Sequence, residues 1–164
     1  MKLKFEIEND VSVLRDKRYS YDFYLDSFLE VLVHDNDSEF SLFSTTMHST
    51  IIITFTELLI ELHKTGKKQT FDPFGNANIY TLERIRNDLK ITNFSALDNQ
   101  VEYVHVLNFI DFTNAYSKEI ERYLKAMITV EANIAEHQDY VLLFERLNIL
   151  KDLSREKETG TKGF

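Results

Sequence analysis

The most strongly patterned stretch of the chain is Thr54-Phe-Thr-Glu-Leu-Leu-Ile-Glu-Leu-His-Lys-Thr-Gly66. Its apolar residues recur at spacings of three and four, which predicts a single apolar stripe on an amphipathic helix, formed by Phe55, Leu58, Leu59 and Leu62. Thr54 and Glu57 stand in the residue order of a capping box, and Gly66 can supply the left-handed residue that ends a helix. We therefore expect a helix that begins at Thr54 and ends before Gly66.

Upstream of this helix the patterns favour strands. Leu3, Phe5 and Ile7 alternate with charged residues, which is typical of a strand with one wet face. Residues 19–33 also alternate, but their apolar positions fit a helical spacing equally well, so strand and helix both remain open there. A polar turn at 34–38 precedes Phe40–Phe43 and the β-branched run Ser49–Ile53, which we interpret as a further strand or hairpin.

Downstream of Gly66 the chain is expected to extend again. Asp72-Pro73-Phe74-Gly75 has the residue order of a type I turn. Three extended segments then follow one another with polar turns between them, which predicts a three-stranded meander over Ile79–Ile85, Leu89–Phe94 and Val101–Leu107.

Two helices are predicted to complete the domain. Asn108 can cap the first, with Asp111 behind it, and its apolar face runs from Phe112 to Met127. The second carries its pattern from Tyr140 to Leu153. Strands first and helices last favour an α+β fold, with about three helices packed on a mainly antiparallel sheet. We expect residues 1–153 to form a single domain and 154–164 to be a flexible C-terminal tail.

Composition restricts the class of protein. The 164 residues carry 19 basic and 27 acidic side chains, and the net charge of −8 opposes a nucleic-acid backbone. No apolar run is long enough to span a membrane and no signal-peptide core is visible, so we expect a cytoplasmic protein without a membrane partner. The absence of cysteine excludes disulfides and thiolate chemistry.

Motifs for catalysis or cofactor binding are missing from the sequence. No phosphate-binding glycine loop and no zinc-protease motif is present, and an EF-hand numbered from Asp35 fails because its sixth position is Phe40. We therefore expect no enzyme activity, no cofactor and no metal. The alternative is a small hydrolase or transferase that uses His105, between Val104 and Val106, as a general base with a nearby carboxylate.

The distribution of charge is the most informative functional signal. Between Tyr19 and His63 there is no Lys or Arg, but there are eight acidic residues interleaved with aromatic ones. A surface of this composition suits a basic protein partner, and its predicted binding residues are Asp22, Asp26, Glu30, Asp35, Asp37 and Glu39. The competing interpretation is that the aromatic rings are core and the carboxylates only keep the outer face of a sheet wet.

The order of elements resembles that of small bacterial immunity proteins, which neutralise toxins delivered between competing cells. The resemblance lies in an early strand pair, the helix over Thr54–Leu62, the meander over Asn78–Leu107, and the helix from Phe109-Ile-Asp-Phe112 to Met127. It implies a compact acidic protein that blocks a toxin domain by tight binding, without catalysis of its own. A regulatory or structural homo-oligomer, joined through an exposed strand edge, is a further alternative.

Overall fold

The computed structural model describes residues 1–75 and 77–160, with side chains up to Arg155. Within these residues the chain has the expected α+β fold, with its strands divided between two antiparallel sheets rather than gathered in one. The first sheet has the order β1 (Lys2–Ile7), β2 (Leu29–Asp35), β3 (Ser38–Thr45), and the second has the order β4 (Gln69–Phe71), β5 (Asn78–Ile85), β6 (Asp88–Ser95), β7 (Gln100–Asn108).

Four α-helices connect and cover these sheets. They are α1 (Asp22–Leu25), α2 (His48–Thr65), α3 (Phe109–Val130) and α4 (Gln138–Gly160), and two 3-10 turns lie at Val11–Arg15 and Ala132–Glu136. None of the helices within the described ranges is both long enough and apolar enough to cross a membrane.

Helix α2 is the most deeply buried element, and it begins earlier than the sequence predicts. The strand expected at Ser49–Ile53 is wrong: these residues form the first turns of α2, where Ile51 and Ile52 are fully buried. A β-branched residue costs about 0.5 kcal/mol in a helix, whereas burying an isoleucine side chain gains about 2 kcal/mol. Burial therefore outweighs local preference.

The expected cap of this helix is also wrong. Residue Met47 occupies the N-cap position in a left-handed conformation, with φ 55°, and the Thr54 hydroxyl donates to the carbonyl of Thr50 at 2.9 Å inside the helix. The other end agrees with the prediction, because Gly66 ends α2 with φ 67°.

The segment 19–33, which could be strand or helix, contains both. Residues Asp22–Leu25 form the single turn of α1, and the chain then enters β2 at Leu29. Strand β2 pairs with β1 on one side and β3 on the other. The alternating pattern of residues 19–33 therefore corresponds to strand β2. The helical spacing corresponds only to the short helix α1 before it.

The outer edge of β1 is closed by a side chain from α3. The Phe5 amide, on this edge, donates to the Glu119 carboxylate at 2.6 Å, and Arg122 pairs with the same carboxylate at 2.5 Å. Glu119 is buried. Its oxygen takes the place of the carbonyl that a neighbouring strand would provide, which satisfies a buried amide and stops further strand pairing.

The meander predicted between Ile79 and Leu107 is confirmed as β5, β6 and β7, and β4 adds a short strand that the sequence did not predict. The type I turn before it is wrong, because Phe74 has φ 54° where that turn needs a negative value. Asp72 still accepts from the Phe74 amide at 3.0 Å, and the Thr45 hydroxyl donates to the Pro73 carbonyl. These bonds hold the loop against the end of β3.

The last two helices follow their sequence patterns. Asn108 caps α3 by accepting from the Asp111 amide at 3.0 Å, as predicted. Helix α4 continues beyond the boundary expected after residue 153, as far as Gly160, and Ser154 is buried with its hydroxyl donating to the Leu150 carbonyl at 3.0 Å. Residues 161–164 of the predicted tail lie outside the described part of the chain.

Replacing Glu119 tests whether it closes the first sheet. We expect Glu119→Ala to lower the free energy of unfolding by about 1–3 kcal/mol, because it leaves the buried Phe5 amide without an acceptor. Glu119→Gln keeps an acceptor and should cost about 1 kcal/mol or less. Urea unfolding monitored by circular dichroism measures both values.

The matched control for this prediction is Glu57→Ala, which removes an exposed carboxylate that pairs with Arg146 at 2.9 Å. An exposed ion pair contributes about 0–1 kcal/mol, so the control should be nearly neutral. Equal losses for Glu119→Ala and Glu57→Ala would show that the edge contact carries no stability of its own.

Candidate interaction surface

The six acidic residues predicted to bind a partner do not form one surface. Asp22 and Asp26 lie at α1, near the start of α4, where the Asp22 carboxylate is 3.6 Å from the His137 ring. Burial and the neighbouring charges of Asp22 and Asp139 raise the pKa of the Asp26 carboxyl above its ordinary value. These residues form a first acidic group, which we call the α1 cluster.

A second group occupies the tip of the hairpin between β2 and β3. It contains Asp35, Asp37 and Glu39, and we call it the acidic hairpin. The Glu39 carboxylate lies 2.8 Å from the His34 ring, and no ion pair is found for Asp35 or Asp37 among the described residues. Strand β2 rises about 3.3 Å per residue, so its length of about 20 Å separates this tip from the α1 cluster.

Glu30 belongs to neither group. It lies near the α1 end of β2, directly opposite Glu6 of β1. Strand β1 also brings Lys2 and Lys4 into register with His34 and Leu32, so basic side chains from the N-terminus share this sheet with the acidic stretch. The segment from Tyr19 to His63 contains no basic residue, but the sheet face to which it contributes does contain basic residues, from β1.

The strongest candidate for a binding surface lies on the outer face of β7. Val101, Val104 and Val106 are 55%, 45% and 60% exposed. They stand opposite Phe94, Thr92 and Lys90 of β6, so all three valines share one face of the sheet. An antiparallel sheet normally presents polar side chains to water on such a face, and this row of valines departs from that rule.

A bulge at the start of β7 brings Val101 onto this face. Two residues of β7 span a single step of β6 between Asn93 and Phe94, and Glu102 is the extra residue. Its carboxylate accepts hydrogen bonds from the side-chain amides of Asn78 and Asn93, both at 2.9 Å. The bulge therefore changes which residues face outward, and the hydrogen bonds from the two asparagine side chains hold it in place.

Strand β7 is the last strand of its sheet within the described residues. On its inner face the Tyr103 hydroxyl donates to the Leu42 carbonyl of β3 at 2.6 Å, and the His105 ring stacks on Phe40 with 3.7 Å between centroids. Phe40 directly follows Glu39. Strand β3 therefore packs through Phe40 and Leu42 against one side of β7, and the exposed valines lie on the other.

The sequence contained a signal for the valine row that the prediction did not use. Apolar residues occupy both sets of alternate positions between Val101 and Leu107, whereas a strand with one wet face is apolar at only one set. The prediction of a strand is confirmed, and the second set of apolar positions corresponds to the exposed valines on its outer face. We call Val101, Val104 and Val106 the β7 surface.

His105 does not point to the solvent face of β7. It lies on the inner face, between the rings of Phe40 and Tyr103, and partial burial lowers the pKa of its imidazole. Among the described residues it has no hydrogen bond or ion pair with a carboxylate, so the orienting acid that a general base needs is not in place there.

His48 has a strongly perturbed environment. Its Nδ1–H donates to the Ser27 carbonyl at 3.0 Å, and the Tyr123 hydroxyl donates to Nε2 at 2.9 Å. Burial lowers the pKa of His48 to about 4, so the ring is neutral at pH 7. These hydrogen bonds join the end of α1 to α2 and α3. Because the His48 side chain is fully buried, the ring is not accessible to a substrate.

Residues suitable for a metal are not gathered anywhere in the described ranges: no group of three histidine or acidic side chains has the required geometry. In the acidic hairpin, Asp37 and Glu39 are exposed and Asp35 is partly buried.

No protein-family model matches the chain, and neither the curated proteins nor the solved structures include a significant match.

The buried His48 predicts a specific dependence of stability on pH. Its pKa in the folded state, about 4, lies below the ordinary value of 6.5. The unfolded state therefore binds a proton first as the pH falls, so the stabilisation is complete above pH 6.5 and is lost between about 6.5 and 4. The loss amounts to about 3 kcal/mol, from 1.36 kcal/mol per pKa unit.

Urea unfolding of the wild type and His48→Gln over pH 4–7 measures this effect. The variant should be less stable at pH 7, because its amide replaces only part of the hydrogen bonding of the ring, but its stability should fall less steeply below pH 6.5. Parallel curves for the two proteins would rule out His48 as the titrating group.

Proposed function

We propose that this chain is a non-catalytic binding protein that holds a basic protein partner against the β7 surface. The observation that carries the proposal is the row of exposed valines on the terminal strand of the second sheet. A contiguous apolar row on an outer strand is costly to keep in water and exposes the protein to aggregation. A partner that covers the three valines would remove them from water and protect the protein from aggregation.

Burial of the exposed valines would contribute only part of the binding free energy. Complete burial of a valine side chain gains about 1.5 kcal/mol, so the three half-exposed valines together supply about 2 kcal/mol. This is a small part of the free energy of a nanomolar complex, about 12 kcal/mol. The β7 surface therefore supplies an apolar centre, and polar or charged contacts around it must supply the rest.

Charge favours a partner of opposite sign. The chain carries a net charge of −8, and the acidic hairpin directly precedes Phe40, whose ring stacks on the inner side of β7. A basic protein gains from this field during association, whereas a second copy of the chain is repelled by it. The resemblance in element order to immunity proteins implies a toxin domain as the partner, and within our proposal a basic toxin domain has the required charge.

Replacing two valines tests the apolar centre. We expect Val104→Ser combined with Val106→Ser to weaken binding of the partner about tenfold or more, because the interface loses apolar area. The partner is first captured from the organism that encodes the chain, and its affinity is then measured by calorimetry. The control is Val141→Ser, at a valine that is 42% exposed on α4, a helix that packs on α2 and α3.

Charge reversal distinguishes the two acidic groups. We expect Asp35→Lys with Asp37→Lys to slow association about tenfold at low salt, because the acidic hairpin adjoins β7. Asp22→Lys with Asp26→Lys should change the association rate much less. Stopped-flow mixing at two salt concentrations gives both rates. If the α1 cluster variant alone is slow, the acidic site lies at α1 and the hairpin is not part of it.

Sedimentation at several concentrations completes the test. A wild type that remains a monomer supports a foreign partner, whereas a dimer that the valine replacements dissociate would assign the β7 surface to self-association. Unchanged partner affinity in the valine variant would contradict the proposed surface.

A further inference from the structure

A second site that the proposed function does not use lies between α3 and α4. The two helices run antiparallel, and the groove between them is lined on α3 by residues from Asn114 to Ile128 and on α4 by residues from Tyr140 to Arg155. At 1.5 Å per residue the α3 wall is about 20 Å long. The chemistry of the groove changes from one end to the other.

One end is a polar cleft of about 340 Å³ with three basic side chains, Lys118, Lys151 and Arg155, and one acidic side chain, Glu121. Among the described lining residues, basic side chains therefore outnumber acidic ones, in a chain whose net charge is −8. Lys151 forms an ion pair with Glu121, and Arg155 lies 3.7 Å from Asp152. Lys118 has no ion pair among the described residues, so its ammonium group is available to a ligand.

Ser117 gives this cleft a second, independent mark of a binding site. The residue is 5% exposed and lines the cleft, and its hydroxyl has no hydrogen-bond partner within the described part of the chain. Other helical hydroxyls here, such as that of Ser154, donate to the carbonyl four residues earlier. A buried hydroxyl without a partner costs about 1–3 kcal/mol, and a bound oxygen acceptor would remove that cost.

The other end of the groove is more apolar, with Lys125 and Asn148 also in its lining, and has a volume of about 540 Å³. Leu124, Ile128, Phe144 and Leu147 line it, and half of the Phe144 side chain is exposed. Glu121 and Lys151 line both ends, so the two volumes meet at this ion pair.

We propose that this groove binds a small amphiphile that carries a carboxylate or phosphate group on an apolar chain. The anionic oxygens accept hydrogen bonds from the Ser117 hydroxyl and the Lys118 and Arg155 cations, and the chain lies along Phe144 and Ile128. The volumes are those of small-molecule sites, and the polar end holds one anionic group rather than a folded segment.

Calorimetry with four probes tests the chemistry of the ligand. Decanoate and decyl phosphate are the two anionic probes, and decanol is the neutral control with the same chain. We expect saturable binding of at least one anionic probe, about tenfold or more tighter than decanol, since charge-assisted hydrogen bonds are lost with the neutral head. Acetate should bind about tenfold or more weakly than decanoate, because it lacks the apolar chain.

The two anionic probes also separate the possible sources of the head group. Tighter binding of decanoate assigns a carboxylate, and tighter binding of decyl phosphate assigns a phosphate ester. Absence of saturable binding for both, or equal affinity for decanol, would overturn the proposal.

Variants locate the binding in this groove. We expect Lys118→Gln to weaken the better anionic probe about tenfold and Ser117→Ala about threefold or more, each through a lost hydrogen bond to the anion. Phe144→Ser should weaken the same probe without changing the preference over decanol. The control Lys64→Gln removes a lysine from the last turn of α2, outside the groove, and should leave affinity unchanged.

The Ser117→Ala variant has a second readout that separates binding from folding. Without ligand its midpoint of thermal unfolding should equal or exceed that of the wild type, because the substitution removes an unpaired buried hydroxyl. With the anionic probe added, its midpoint should rise less than that of the wild type. An equal rise in both proteins would place the probe elsewhere.

Discussion

The packing of α2 between the two sheets is the constraint on which the rest of the structure depends. The ring of Phe55 lies 5.2 Å from Phe43 of the first sheet, 5.0 Å from Phe71 of the second, and 5.2 Å from Tyr116 of α3. One side chain thus contacts both sheets and a helix. Because α2 and α3 occupy the inner faces of the sheets, the outer face of the second sheet is left in water, and the exposed valines of β7 lie there.

Elements whose evidence is local were predictable from the sequence. Helix α3 carries its cap, its charged face and its apolar face in consecutive residues, and the meander carries its alternation and its turns. The start of α2 was not predictable in this way, since Ser49–Ile53 has the composition of a strand and becomes helical only because the surrounding core buries it. Short elements such as α1 and β4 have too few residues for a period to be visible.

The position of the acidic residues also depends on contacts that the local sequence does not reveal. The absence of basic residues from Tyr19 to His63 is a true property of the sequence, but strand direction decides where each carboxylate goes. The β2 strand carries the acidic hairpin away from Asp22 and Asp26, and β1 returns lysines to the same sheet. The position of the hairpin against β7 follows from the stacking of Phe40 on His105, a contact between residues 65 positions apart in sequence.

The proposed binding surface combines parts that the sequence keeps separate. An apolar centre on β7 and an acidic tip from the first sheet lie on opposite sides of one strand, and together they suit a basic partner with an apolar contact of its own. The groove between α3 and α4 has the opposite character, because basic side chains outnumber acidic ones in the described lining of its polar end, and the buried Ser117 hydroxyl there has no hydrogen-bond partner among the described residues. The two sites use different elements of the fold, so each can be altered without the other.

Hydrogen exchange of the free chain and of its complex with the captured basic partner tests the central claim most directly. The account predicts that binding slows exchange of backbone amides in residues 100–108 and 35–39, and that residues 22–26 exchange as in the free chain. Slowed exchange confined to residues 22–26 and the start of α4, with β7 unchanged, would contradict it.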